Sequence, residues 1–87
     1  MPRVFIPPLA RPLTGGVDQV DVDAGNVGQI IDVLESRFPG IRDRLCEEGE
    51  LKPGLTVAVD GNVSALGLFQ KVEEDAEVHF LPAIGGG

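Results

Sequence analysis

Residues Arg3-Val4-Phe5-Ile6 are mostly β-branched or aromatic and run into Pro7-Pro8, which cannot continue a paired ladder, so a short first strand is predicted over 3–6. A turn-rich stretch follows and ends on Thr14-Gly15-Gly16. Between residues 17 and 23, Val20 and Val22 alternate with Gln19, Asp21 and Asp23 at the strand period of two. That predicts a second, half-buried strand, joined to the first as a hairpin through the Gly pair. The period then changes to that of a helix. Val27, Ile30, Ile31, Leu34 and Phe38 share one face, while Gln29, Asp32, Glu35 and Ser36 lie opposite. Asn26 with Gln29 forms a candidate capping box at the start, and Pro39-Gly40 is a stop signal at the end. A further helical turn from Ile41 to Cys46 would put Ile41 and Leu45 together.

Leu55, Val57 and Val59 alternate with Thr56 and Ala58 ahead of Asp60-Gly61, which predicts a third strand and a tight turn. Val63 to Gln70 is apolar without a period and reads as a short strand and loop. Residues 77–81 form a last strand with Val78 and Phe80 inward and His79 and Leu81 outward. This order, β-β-α-β-(β)-β, predicts an α+β fold: a mixed sheet of four to five strands with one main helix packed on one face. By analogy of element order it is a β-grasp (ubiquitin-like) arrangement, with the first and last strands parallel and adjacent at the centre. Residues 1–87 read as one domain, with 82–87 as a flexible C-terminal tail.

Charge narrows the partners. The 87 residues hold 7 Lys and Arg against 14 Asp and Glu, a net charge of -7, and Arg37, Arg42 and Arg44 form no basic stripe, so nucleic acid is not an expected partner. No apolar run approaches the roughly 20 residues that span a bilayer. The Pro-rich start lacks the helical apolar segment of a signal peptide, so a cytoplasmic protein without a membrane partner is expected. Cys46 is the only cysteine, which rules out an intrachain disulfide, a cysteine-ligated zinc site and the 2Fe–2S cluster of β-grasp ferredoxins.

Other reactive side chains are sparse. His79 reads as a sheet-surface histidine rather than a general base, and Glu73-Glu74-Asp75 as a solvated turn rather than a metal site. Cys46 reads as a half-buried thiol, with a crosslinking or persulfide-accepting role as its alternative. There is no Gly-rich phosphate loop and no dinucleotide fingerprint. The chain is therefore not expected to be an enzyme, nor to bind a metal or cofactor itself.

Chemistry points to the end of the chain, Leu81-Pro82-Ala83-Ile84-Gly85-Gly86-Gly87. At a background frequency of ~7%, three terminal glycines arise by chance roughly three times in ten thousand. Gly85, Gly86 and Gly87 carry no Cβ and can thread a narrow channel, presenting the α-carboxylate of Gly87 to another protein's active site. A carboxylate becomes an electrophile only once its oxygen is made a leaving group, so ATP-dependent adenylation by a partner is the natural first step. Phe5 and Leu81 would share the uncovered side of the sheet, and with Pro82 and Ile84 they form a candidate partner-binding surface at the root of the tail. Scattered surface apolar residues and an idle tail are the alternative.

The ending Phe80-Leu81-Pro82-Ala83-Ile84 before Gly86-Gly87, the helix opening Val27-Gly28-Gln29 and the turn Val59-Asp60-Gly61 resemble the MoaD/ThiS family of ubiquitin-like sulfur carriers. The loop from Leu9 to Gly16 is more similar to the CysO-type carriers of cysteine biosynthesis than to the small subunit of molybdopterin synthase. Asp75 departs from the pattern by replacing a glycine, in a residue type that tolerates left-handed backbone, and the segment Asn62–Val72 is short.

The resemblance implies an E1-like (MoeB/ThiF-type) activating enzyme that uses ATP to adenylate Gly87. A sulfur donor would then displace AMP to leave a Gly87 thiocarboxylate, which passes sulfur to an acceptor enzyme. The implied acceptor is an aminoacrylate on pyridoxal phosphate in a cysteine synthase-like enzyme. Its alternative is a pterin precursor on the molybdopterin synthase large subunit, for molybdenum cofactor biosynthesis. A protein modifier joined to lysines through Gly87 is a further alternative.

Overall fold

A computed structural model of the chain describes residues 1–82. In chain order the elements are β1 (Arg3–Phe5), β2 (Gln19–Asp21), α1 (Val27–Arg37), α2 (Ile41–Leu45), β3 (Cys46–Glu47), β4 (Glu50–Leu51), β5 (Leu55–Val59), β6 (Asn62–Val63) and β7 (Glu77–Pro82). Five of the strands form one mixed sheet in the order β2-β1-β7-β5-β6, and β3 pairs with β4 in a separate small ladder. The expected α+β sheet, with its parallel central pair, is what the chain forms. β1 and β7 run parallel with Val4 opposite Val78, and every other pairing is antiparallel.

Alternation along the strands decides what is buried. Val4, Ile6, Val57, Val59, Val78 and Phe80 face the helices and meet Val27, Ile30, Ile31 and Leu34 of α1 and Ile41 and Leu45 of α2 in a single core. Arg3 and Phe5 of β1 and Glu77, His79 and Leu81 of β7 face the uncovered side of the sheet. The stretch between β1 and β2 winds into a 3-10 turn over Pro8–Thr14, with Ala10 buried beneath it. Gly15 and Gly16 then reverse the chain at φ of 67° and 89°, backbone that a Cβ disfavours.

Helix α1 begins as its sequence predicts. The Asn26 side chain accepts the Gln29 N–H at 2.8 Å, and the Gln29 amide oxygen reaches back to accept the N–H of Gly25 at 2.8 Å. The reciprocal bond thus lands one residue before the cap, while the Val27 N–H is satisfied by the Gln70 carbonyl at 3.0 Å. At the other end Gly40 turns the chain at φ 98°. The Glu35 carboxylate accepts the backbone N–H groups of Arg42 at 2.9 Å and Gly40 at 3.1 Å, locking the corner between the two helices. Those two bonds, the Arg42 amide first, hold the Glu35 carboxyl below its ordinary range.

Several elements differ from the sequence reading. The hairpin of β3 and β4 was not expected: Glu48 and Gly49 form its turn at φ of 53° and 80°, and strands of two residues are too short to show a period. The apolar stretch after Asp60-Gly61 contains β6 and a 3-10 turn at Gly67–Phe69. Asp75 adopts φ 64°, so the residue standing where a glycine was expected keeps the left-handed turn. Pro82, expected as the first residue of the tail, is instead the last of β7 and lies opposite Leu55. The rest of the expected tail, 83–87, lies outside the described residues.

Replacing Asn26 with Ala should lower the unfolding free energy by about 1 kcal/mol in urea titrations, the usual cost of a lost N-cap. Glu35 gives a pH signature. Its lowered folded-state pKa stabilises the fold above the unfolded carboxyl's pKa, and that stabilisation is lost as pH falls through the folded value. Glu35→Gln should therefore be clearly less stable than wild type near pH 7 and indistinguishable from it near pH 2, in parallel urea titrations.

Candidate functional site

The strand that leads into the terminal glycines is β7, and its neighbours decide what surrounds the tail's root. Through the registers of β7 with β1 and β5, His79 lies beside Phe5 on one side and Ala58 on the other. Phe5 is in turn opposite Gln19, and Ala58 opposite Val63. One row therefore crosses all five strands on the uncovered face: Gln19, Phe5, His79, Ala58, Val63. The rings of Phe5 and His79 stack at 4.1 Å with an interplanar angle of 7°, which leaves both half-buried without any covering helix.

Leu81 sits two residues nearer the tail on the same face, opposite Thr56, and is 40% exposed. Val63, at the sheet edge, is 58% exposed. Away from the tail the face becomes charged, with Arg3 between Asp21 and Glu77 and the Glu77 carboxylate 3.8 Å from His79 Nε2. The face thus grades from ionic to apolar toward the root of the tail, which suits a partner that covers the apolar end.

The structure brings Phe5, His79 and Leu81 to one face, as the alternation predicts, and adds Val63 and Ala58, which the sequence reading did not assign to this surface. Val63 was missed because β6 is too short for a period. The His79 stack depends on a parallel register that joins residues far apart in sequence. Pro82 falls on the other side of the sheet, sharing the parity of Val78 and Phe80. Ile84, Gly85, Gly86 and Gly87 lie outside the described residues.

The remaining candidates stay quiet. Cys46 is half-buried in β3, facing a cleft of about 510 Å³ that it lines with Ile31, Leu68 and Phe69. Burial pushes its thiol pKa up, so the nucleophilic thiolate is disfavoured. In the Glu73-Glu74-Asp75 turn, Glu73 is 3.4 Å from the Lys71 ammonium in an exposed pair.

A small mixed sheet with a central parallel pair, one long helix across one face and the other face open is the ubiquitin-like β-grasp. With residues 4–87 matching the ThiS family model, the chain belongs to the ThiS family of ubiquitin-like sulfur carriers. It is 32% identical over 89 residues to the sulfur carrier protein CysO of Mycobacterium tuberculosis, covering 97% of this chain and 96% of that protein. It is 34% identical over 71 residues to small archaeal modifier protein 3 of Haloferax volcanii, covering 79% and 76%. In three dimensions it matches a chain of the Amycolatopsis orientalis BexX/CysO complex with a TM-score of 0.87 at 36% identity, over 100% of both chains. Among the described residues no helix is long and apolar enough to cross a membrane.

The open face should separate stability from surface. Val63→Ser and Leu81→Ser should change the unfolding free energy by less than about 1 kcal/mol, because both side chains already meet water. Phe5→Ala removes the ring stack and should cost about 2 kcal/mol. Urea titrations of the three variants check both.

Proposed function

We propose that the chain is a sulfur carrier of the CysO type whose reacting residue is Gly87. The observation that carries this reading is the near-full-length likeness to proteins named CysO, together with a family match that runs through Gly87 itself. The fold supports it: the strand that leads to the tail is held between two neighbours at the sheet's centre, so a partner that grips the domain also aims the tail.

The chemistry follows from the carboxylate. On an E1-like activating enzyme, an oxygen of the Gly87 carboxylate attacks the α-phosphorus of ATP, pyrophosphate leaves, and an acyl adenylate forms. Sulfide from a donor adds to the acyl carbon and AMP departs with the former carboxylate oxygen, leaving a Gly87 thiocarboxylate. Its sulfur is a nucleophile, and a cysteine synthase-like acceptor enzyme in the cytoplasm would provide the electrophile. The carrier supplies no catalytic side chain to these steps and binds no cofactor. Its contributions are the tail, which the small glycines let into a confined site, and the open face around Phe5, Leu81 and Val63, which sets the docking orientation.

The small subunit of molybdopterin synthase shares the activation step and differs in its acceptor; the CysO relatives favour the cysteine route. The likeness to an archaeal modifier supports a second reading, in which activated Gly87 is joined to lysine amines.

Intact mass after incubation with ATP, an E1-like activating enzyme and sulfide separates these readings. The expected result is a gain equal to one oxygen replaced by sulfur, absent in a variant lacking Gly87. Conjugates on lysines without that gain would favour the modifier. An unchanged mass with an enzyme shown to activate other carriers would overturn the proposal.

A further inference from the structure

The other side of the tail's root holds a second feature. An apolar groove of about 370 Å³ opens on the helix side of the sheet, lined by Leu9 of the 3-10 turn, Arg44 of α2, Lys52 and Pro53 of the loop after β4, and Leu55 and Pro82 of the paired strand ends. Leu9 is 44% exposed, an apolar side chain left open to solvent at the groove.

The cations around the groove are distinctive. Of the seven Lys and Arg, Arg3, Arg42 and Lys71 are within ion-pair distance of Asp21, Asp32 and Glu73. Arg11 and Arg37 donate to the carbonyls of Ile6 and Asp21. The remaining two, Arg44 and Lys52, make no ion pair and no side-chain hydrogen bond among the described residues, and both line this groove. Among the described residues they are its only charged lining, in a chain of net charge -7. An apolar hollow with two uncommitted cations on its rim complements an apolar side chain carried next to a carboxylate. Its position decides who brings one. Pro82 is a wall of the groove, and Gly87 is only five residues further along the chain, so an enzyme that takes Gly87 into its active site is brought within roughly 17 Å of it.

We propose that this groove is a second docking site for the activating enzyme, filled by an apolar residue flanked by an acidic one. The enzyme would then hold the root of the tail from both sides, through Leu81 and Phe5 on the open face and through Arg44, Lys52 and Leu9 on the helix face. This inference rests on the carrier reading, because it is the insertion of Gly87 that brings the enzyme to Pro82.

The test uses an activating enzyme already shown to adenylate the wild-type chain, so that failure of the carrier reading is seen first and separately. ATP–pyrophosphate exchange is measured against carrier concentration for wild type and for the double variant Arg44→Glu with Lys52→Glu, and both are melted to confirm equal folding. The expected result is a KM for the carrier raised roughly ten-fold or more with kcat within about two-fold, the difference narrowing as salt is raised. Leu9→Ser, which keeps both charges, should also raise KM, without that salt dependence. An unchanged KM in the charge-reversed variant would overturn the proposal. So would a lowered KM, which would mean that the groove holds the chain's own Ala83–Gly87 segment. Dimerisation of wild type, lost on charge reversal in sedimentation, would assign the groove to a second copy and overturn it equally.

Discussion

The parallel contact between β1 and β7 is the constraint from which the rest of the molecule follows. Val4 and Val78 sit opposite one another, both fully buried, although the chain must travel through every other element to bring them together. A parallel pair cannot be closed by a tight turn and needs a long crossover. Here β2, both helices, the β3–β4 ladder, β5 and β6 all belong to that crossover. Its apolar faces converge on the same core, so the entropy lost in joining the two ends is recovered by burial of α1 and α2 against the sheet. The result is that the residues leading to the tail emerge from the interior of a five-stranded sheet rather than from a fraying edge.

Placing the tail's root there gives it two distinct surroundings. Alternation along β7 sends His79 and Leu81 to the open face and Phe80 and Pro82 to the helix face, so a ring stack lies on one side and a cation-rimmed groove on the other. The exposed charges near them do little to hold the fold together. Exposed ion pairs such as Arg42 with Asp32 and Lys71 with Glu73 contribute at most about 1 kcal/mol each, far less than the shared core. The charges are better understood through the field they make. Most of the basic groups are matched locally, and the two that have no such match among the described residues, Arg44 and Lys52, lie together beside Pro82.

Side-chain bonds to the backbone fix the ends of the helices whose apolar faces build the core. Asn26 and Gln29 satisfy donors at the start of α1, and Glu35 satisfies donors at the start of α2, so the turn between the helices is closed by one carboxylate. That corner fixes α2, and with it Arg44, relative to the sheet end. Cys46 follows directly and is drawn into the small β3–β4 ladder, where burial makes its thiol a packing group.

The sequence by itself determined whatever depends on near neighbours and on period. The alternation in β1, β5 and β7, the apolar face and cap of α1 and the turn at Asp60-Gly61 were all legible, because each is set by residues within a few positions of one another. Two-residue strands were not: β3 and β4 are defined by their pairing with each other and β6 by its pairing with β5, and no pattern of two residues can announce that. The tertiary structure alone decided which distant residues share a surface. It set His79 on Phe5, added Val63 and Ala58 to their row, took Pro82 out of the tail and into β7, and gathered Arg44 and Lys52 beside it. Those placements depend on sheet register and on the crossover that closes β1 against β7, and register is a property of the packed chain rather than of any segment of it.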